Sequence, residues 1–225
     1  LKVSSEVDYI FNLACPASPV HYQYNPIRTL KMGTLAMYNV LGMAARLDIP
    51  ILQASTSEIY GDPDPKNVPI QESYKGNVAC QGPRACYDES KRVGETLCYI
   101  FNTMKGTKTN TIRPFNVFGP GMPKNDYRVF PRFFNSIKSK KPITIFKNGK
   151  QTRTFCYVSD AITAMLLVII KGKKFVYNIG NDQPEINMTL LHKHIEKNKP
   201  KNMIKIRSDE CGRISSELFK KTCES

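Results

Sequence analysis

The 225-residue chain is 41% hydrophobic and 10% aromatic, enough to bury one sizeable core and a small additional lobe. No apolar run approaches the roughly 20 residues that a membrane span needs, and the seven cysteines form no C-x-x-C pair, which argues against zinc ribbons and disulfide frameworks. The formal net charge of +14 favours an anionic ligand, but no nucleic-acid-binding motif accompanies it. We therefore expect a globular protein with no metal site, no nucleic-acid partner and no membrane span.

The first half of the chain alternates between strand and helix patterns. Residues 7–14 (VDYIFNLA) form an apolar run suited to a buried parallel strand, and 26–47 carry an apolar stripe at helical spacing. A second strand is predicted at 49–55, a helix at 85–104 and a third strand at 109–115. This alternation predicts a parallel sheet covered by helices on both faces, as in half of a doubly wound α/β domain.

The pattern becomes irregular after Gly119. The elements predicted there are helices at 129–139 and 160–170 and extended segments at 143–146, 151–157 and 176–179. This mixture indicates a smaller, mixed α/β lobe. We expect residues 1–118 to form the partial doubly wound domain and 119–225 to form mostly the second lobe, with some segments returning to the first.

Two further stretches depart from regular structure. Residues 62–82 are rich in Pro, Asn and Gly, which predicts a long loop of the kind that is often functional in compact domains. Basic residues dominate between 124 and 153. That stretch predicts either a solvated lysine-rich surface or a pocket for a diphosphate-bearing substrate.

One predicted strand ends in hydroxyl residues at 55–57, and a later helix begins with Tyr87 and Lys91, spaced Y-x-x-x-K. That spacing places both side chains on one helical face, where the ammonium can lower the pKa of the phenol and let it act as a base near neutral pH. Together with Glu58, these residues form a candidate catalytic set. The alternative interpretations are an ordinary half-buried aromatic at Tyr87 and a helix-capping or surface acid at Glu58.

Several segments of the chain resemble one family. They are NLACPASPVHYQYNPIRTLK, ASTSEIYGDP, QGPRACYDESKRVGETLCY, RPFNVFGP and KQTRTFCYVSD. All look like the corresponding segments of the NAD-dependent UDP-glucuronate decarboxylases (UDP-xylose synthases), which are extended short-chain dehydrogenases/reductases; the similarity runs from about residue 7 to about residue 181. The residues that follow Thr56 distinguish members of this superfamily. Here they are Ser57 and Glu58, which resembles the decarboxylases. The related 4,6-dehydratases carry an Asp-Glu pair at this place, and the 4-epimerases usually carry no Glu there.

The resemblance implies a partial Rossmann-like fold, NAD as the cofactor, and decarboxylation of UDP-glucuronate to UDP-xylose through a 4-keto intermediate. Tyr87 would remove the C4 hydroxyl proton, Thr56 would hydrogen-bond the developing keto oxygen, and Lys91 would hold the cofactor's ribose. Because the ketone lies beta to the carboxylate, carbon dioxide can leave through an enolate, and Glu58 would assist reprotonation at C5.

The resemblance also implies binding residues. For NAD they are Leu13, Ala14, Ser55, Tyr87, Lys91 and Arg113. For the UDP-sugar they are Pro16, Tyr24, Lys31, Ser57, Asn116, Arg153 and Arg213. Asn116 would contact the nucleotide sugar and Arg153 would grip the diphosphate with its guanidinium fork; a surface ion pair is the alternative for Arg153.

The chain lacks the glycine-rich turn of the family. Its 13 glycines form neither G-x-x-G-x-x-G nor G-x-G-x-x-G after a strand. Such a turn lets backbone N–H groups at a helix N-terminus approach the pyrophosphate. We therefore expect an N-terminally truncated chain that lacks the family's opening strands and binds NAD poorly.

Two alternatives to a decarboxylase remain at this point. The chain is either an inactive remnant that binds a nucleotide or a partner protein, or a nucleotide-sugar 4-epimerase or 4,6-dehydratase, which the Ser57-Glu58 pair disfavours. The resemblance further implies a homodimer at full length, with 85–104 in a helical interface. It also implies a location in either the cytoplasm or the Golgi lumen.

Overall fold

The computed structural model describes residues 6–123, 126–139, 141, 152–181 and 186–187. The chain divides into two compact units, Leu1–Phe115 with Ser159–Ile179 and Asn116–Val158 with Gly180–Ser225. Within the described ranges, no helix is long and apolar enough to cross a membrane.

A parallel sheet forms the centre of the first unit. The strands of the described residues are β1 (Ile10–Asn12), β2 (Ile51–Ala54), β3 (Thr109–Pro114), β4 (Asn116–Phe118), β5 (Thr152–Arg153), β6 (Phe155–Tyr157), β7 (Val176–Ile179) and β8 (Ile186–Asn187). Four of them form the sheet in the order β1-β2-β3-β7, and every pairing is parallel. All residues of β2 are buried, as expected for a parallel strand covered on both faces. The predicted α/β, Rossmann-like fold is confirmed.

The helices follow the predicted alternation with two additions. They are α1 (Pro19–Tyr24), α2 (Pro26–Lys31), α3 (Met37–Leu47), α4 (Ala85–Lys105), α5 (Val129–Lys138) and α6 (Val158–Lys171), and a π-helical turn, Met32–Ala36, joins α2 to α3. The predicted helix at 26–47 is confirmed as one continuous helical run, whereas α1 and the π-helical turn were not predicted. The strand predicted at 7–14 is confirmed only as the short β1, and the strand predicted at 143–146 lies outside the described residues.

The core of the first unit lies between α3, α4 and the sheet. Its fully or almost fully buried members are Met37, Leu41, Ala44, Ile51, Cys98 and Phe101. The three residues from α3 recur at helical spacing, so one face of that helix is apolar and turns toward the sheet. Because α4 connects the parallel strands β2 and β3, its first turn lies at the carboxyl edge of the sheet.

The π-helical turn contacts α4 where neither helix has room for a further carbon atom. A Cβ added to Gly33 would lie 2.5 Å from Ser90 Cβ and 2.6 Å from Ser90 Oγ. A Cβ added to Gly42, in α3, would have no neighbour within 4 Å. We therefore expect Gly33→Ala to lower the free energy of unfolding by about 1–3 kcal/mol. Gly42→Ala, the matched control, should raise it by roughly 0.5–1 kcal/mol. Urea unfolding of the two variants measures both effects, and equal effects at the two glycines would contradict this account of the packing.

The loop predicted at 62–82 is largely irregular but is tied to the first unit. A backbone bridge joins Gly61 to Asn77, and Arg92 of α4 donates hydrogen bonds to the carbonyls of Ile59 (3.5 Å) and Lys75 (3.3 Å). The loop is therefore held against the helix that carries Tyr87.

The second unit contains two small sheets and α5. Strands β4 and β6 pair in parallel, and β5 and β8 pair antiparallel. An aromatic cluster packs there, in which Phe118 stacks on Phe130 with ring centroids 4.3 Å apart and Phe155 meets the Phe130 ring edge-on at 4.7 Å. The mixture of parallel and antiparallel pairs is the mixed α/β arrangement predicted for this part of the chain.

Candidate active site

The carboxyl end of β2 carries the first part of the site. Ser55, directly after the strand, donates its backbone N–H to Ile112 O (2.8 Å), which extends the pairing with β3. The next residue, Thr56, leaves the strand and caps the 3-10 helix Ser57–Tyr60, since its Oγ1 accepts a hydrogen bond from the backbone N–H of Glu58 (3.2 Å). The cap therefore joins Thr56 to the turn that carries Glu58.

The first turns of α4 carry the second part. Tyr87 and Lys91 lie on its buried face, with only 6% and 5% of their surfaces exposed. Lys91 Nζ lies 5.8 Å from the centroid of the Tyr87 ring and donates a hydrogen bond to Ala54 O (2.6 Å), and the Thr56 and Tyr87 side chains share a hydrogen bond. The structure therefore brings the predicted residues Thr56, Tyr87 and Lys91 together at the edge of the sheet.

The electrostatics of the site differ from the prediction in one respect. Burial raises the pKa of Tyr87 well above its ordinary value, and the hydrogen bond with Thr56 offsets only part of this rise. Burial also lowers the pKa of Lys91. The expectation that Lys91 leaves the phenol with a lowered pKa is therefore wrong for the protein without ligands, because removal from water disfavours the charged form of both side chains.

The buried ammonium of Lys91 should make stability depend on pH. Because its pKa is lowered in the folded state, the unfolded chain binds more protons between that value and about 10.4, the pKa of an exposed lysine. The stability of the parent relative to Lys91→Met should therefore rise as the pH increases from 7 to 10. Urea unfolding at four pH values in this range checks the slope. Lys105→Met, at an exposed position of the same helix, is the control, and a flat difference between parent and Lys91→Met would contradict the prediction.

Three residues that the sequence did not identify complete the cluster. The Arg84 guanidinium contacts Glu58 through Nη2, and its Nε lies 3.5 Å from Asp88 Oδ2. The Tyr22 ring stacks on Tyr87, with centroids 4.8 Å apart and an interplanar angle of 11°. The i, i+4 spacing of Arg84 and Asp88 was a local signal for their ion pair. No local pattern pointed to Tyr22, because its partner lies far along the chain.

The neighbourhood of Lys91 fits a polar ligand such as the ribose of NAD. Ser55 Oγ is buried and has no hydrogen-bond partner within the described part of the chain. A ligand hydroxyl there would give Ser55 Oγ the partner that a buried polar group requires. Lys91 Nζ carries further protons beyond the one donated to Ala54 O. The predicted cofactor residues Leu13 and Ala14 follow β1 and are exposed, so they are accessible to a ligand at the edge of the sheet.

Arg113 is engaged elsewhere. It makes a bidentate ion pair with Glu95, with distances of 3.0 and 2.7 Å. Its Nη1 donates to Tyr60 Oη and to Glu72 O, both at 2.8 Å. Tyr60 in turn donates to Asn178 Oδ1 (2.7 Å) in β7. All three Arg113 nitrogens have protein partners, so in this structure the residue joins β3, α4 and the 62–82 loop, and its predicted contact with NAD remains a prediction.

The predicted substrate residues are dispersed. In the first unit Ser57 and Pro16 are half-buried, while Tyr24 and Lys31 are exposed. In the second unit Asn116 Nδ2 donates to Thr154 O (3.0 Å), and the exposed Arg153 donates to Thr152 O (2.6 Å). Arg213 lies outside the described residues. No group of His, Cys, Asp and Glu that could hold a metal occurs in the ranges that the structure describes.

Comparison with known proteins gives a family and a set of relatives. The model of the NAD dependent epimerase/dehydratase family matches residues 2–180. UDP-glucuronic acid decarboxylase 1 of Xenopus tropicalis is 46% identical over 178 residues, which are 79% of this chain and 42% of that protein. UDP-glucuronic acid decarboxylase 6 of Arabidopsis thaliana is 44% identical over 176 residues, 78% of this chain and 51% of that protein. The chain thus spans about half, or less, of the length of these relatives.

Solved structures show the same fold. The UDP-N-acetylglucosamine 4-epimerase of Methanobrevibacter ruminantium, in complex with UDP-N-acetylmuramic acid, superposes with a TM-score of 0.75 at 25% identity and covers 95% of this chain and 69% of its own. The UDP-glucose 4-epimerase of Thermotoga maritima, with UDP-glucose, superposes with a TM-score of 0.76 at 22% identity and covers 95% of this chain and 70% of its own. The chain thus shares the fold of these two enzymes.

Proposed function

Because the chain belongs to the NAD dependent epimerase/dehydratase family, we propose that it carries the catalytic residues of an enzyme that converts UDP-glucuronate to UDP-xylose through a 4-keto intermediate. The observation that carries the proposal is the cluster of Thr56, Tyr87 and Lys91 at the edge of the sheet, with Glu58 as a neighbouring carboxylate in the turn that Thr56 caps. The names of the curated relatives at 44–46% identity support this reaction over epimerisation or dehydration.

The positions of the side chains support the following roles in the reaction. Tyr87 would take the proton of the C4 hydroxyl as that carbon is oxidised, and Thr56, already hydrogen-bonded to Tyr87, would donate to the new keto oxygen. When bound, NAD would accept a hydride from C4 and return it after decarboxylation. Because burial raises the pKa of Tyr87, loss of its proton is costly, and we expect the rate to rise with pH above neutrality.

The remaining steps need a departing carboxylate and a proton. A ketone at C4 lies beta to the substrate's carboxylate, so the electron pair of the breaking bond can move into an enolate as carbon dioxide leaves. Lys91 would hold a cofactor hydroxyl beside Ser55, where the unsatisfied Oγ needs a partner. Glu58 would assist the return of a proton to C5, directly or through a bound water molecule.

The reaction is tested on the protein expressed at the full length of its gene. Purified protein with NAD and UDP-glucuronate should release carbon dioxide and form UDP-xylose, both followed by mass spectrometry. Formation of UDP-galacturonate instead would indicate a 4-epimerase, and a 4-keto-6-deoxy product from UDP-glucose would indicate a 4,6-dehydratase. Calorimetry that detects UDP binding without NAD binding or turnover would support an inactive remnant.

We further propose that the protein forms a homodimer through α4. That helix exposes Val93, Ile100 and Met104, with Met104 75% exposed, and their spacing places them on one stripe. An apolar stripe on a helix surface is suited to packing against the same stripe of a second copy.

Ile100→Glu should therefore shift the protein from dimer to monomer in light scattering, because it would bury a charge in the interface. The control is Ile162→Glu, at an exposed position of α6; loss of the dimer in both variants or in neither would contradict the assignment.

A further inference from the structure

We infer that Arg84 is a positioning residue of this site, which fixes the carboxylate of Glu58 and is itself held by Asp88. The inference rests on the proposed function, since it assigns Glu58 a part in the reaction. Arg84 stands at the N-cap position of α4, three residues before Tyr87. Its side chain contacts both Glu58, in the turn that follows β2, and Asp88, in the first turn of the helix that carries the proposed base.

The contacts of Arg84 use two different nitrogens of its planar guanidinium. Nη2 contacts Glu58, and Nε lies 3.5 Å from Asp88 Oδ2. The side chains of Arg84 and Glu58 are about half exposed, with 46% and 47% of their surfaces accessible, whereas only 8% of the Asp88 side chain is. Asp88 is thus the buried partner of Arg84, and Glu58 is the partner that is exposed enough for a substrate to reach.

Among the described residues, the ion pair with Arg84 is the polar contact that the structure gives the Asp88 side chain. Its Oδ1 is buried without a hydrogen-bond partner, and burial raises its pKa while Arg84 lowers it. A buried carboxylate in this state is costly, and the nearby charge of Glu58 adds repulsion. Arg84 compensates both carboxylates at once, which allows them to stand close to each other beside Tyr87.

The orientation of Glu58 should matter for the reaction. Glu58 belongs to a short 3-10 helix, Ser57–Tyr60, and its half-exposed side chain has several rotamers available in the absence of a partner. A small displacement of a catalytic group can lower a rate by about 10²-fold. A planar, doubly bound guanidinium restricts the carboxylate to one region, which a lysine ammonium cannot do with the same geometry.

The test compares Arg84→Gln, Arg84→Lys, Glu58→Gln and the Arg84→Gln/Glu58→Gln double variant in the full-length protein, with Arg46→Gln on the exposed side of α3 as the control. We expect Arg84→Gln to lower kcat by about 10–100-fold with KM within about threefold. Arg84→Lys should recover only part of this loss. In the Glu58→Gln background, Arg84→Gln should change kcat by less than about twofold, because its effect acts through Glu58.

Two results of the activity assay would overturn the inference. One is a kcat for Arg84→Gln within about twofold of the parent kcat. The other is a fold-loss of kcat in the double variant that equals the product of the fold-losses in the two single variants. A parent protein without UDP-xylose formation would refute the proposed function instead. In that case the same four variants are compared by urea unfolding of this chain, where non-additive midpoints support the coupling of Arg84 to Glu58 and additive midpoints overturn it.

Discussion

Tyr87→Phe is expected to lower the kcat of UDP-xylose formation by about 10²–10⁴-fold, the range typical for loss of a positioned acid or base. The substitution removes the hydroxyl that shares a hydrogen bond with Thr56 but keeps the ring that stacks on Tyr22. The fold should therefore persist. The measurement is a single-turnover assay of the full-length protein with UDP-glucuronate, in which product formation is separated from substrate binding.

The matched control for this substitution lies on the same helix. Tyr99 of α4 is 58% exposed, so Tyr99→Phe removes the same hydroxyl without touching the site and should keep the kcat of the parent. UDP-glucuronate should bind Tyr87→Phe within about threefold of the parent affinity, because the hydroxyl serves the chemical step. Parent-like turnover in Tyr87→Phe would remove Tyr87 from the mechanism.

Arg113→Met should lower the free energy of unfolding by about 3–5 kcal/mol, the effect of removing one partner of a buried ion pair. The side chains of Arg113 and Glu95 are only 11% and 13% exposed, so the substitution would leave Glu95 buried without its counter-charge. It would also remove the hydrogen bonds to Tyr60 and to the Glu72 carbonyl. Urea unfolding of the chain, monitored by circular dichroism, measures the loss.

Two further variants distinguish a lost ion pair from simple loss of packing. Arg92 lies on the same helix as Glu95, and its side chain is 40% exposed, so Arg92→Met should lower stability by no more than about 1 kcal/mol. The Arg113→Met/Glu95→Met double variant should recover part of the loss, because no unpaired charge is then buried. A double variant less stable than Arg113→Met would contradict this explanation.

The sequence predicted the parts of the site that depend on local geometry. Helical periodicity is enough to place Tyr87 and Lys91 on one face of α4, and a hydroxyl at the end of a parallel strand is enough to place Thr56 at the same edge of the sheet. The contact of Arg84 with Glu58 spans 26 residues and the Tyr22 stack spans more. These contacts depend on how α4 packs against α1 and against the 3-10 helix Ser57–Tyr60, which no short sequence pattern indicates.

Other differences also arise from packing. The predicted direction of the Tyr87 pKa shift is wrong because the spacing indicates that Lys91 is near but not that both side chains are removed from water. The strand predicted at 7–14 is longer than β1 because an apolar run does not show where pairing ends, and only Ile10–Asn12 pair with β2. The π-helical turn was not foreseen because its apolar pattern differs little from that of an α-helix.

The close approach of Gly33 to Ser90 ties the distance between two helices to the absence of a side chain at position 33. The two residues share a space in which an added Cβ would lie 2.5 Å from an existing one. The added Cβ would also lie 2.9 Å from the backbone carbonyl oxygen of Ser90, which every residue at position 90 would carry. A homologous chain with a side chain at position 33 must therefore hold the helix of Lys91 farther away.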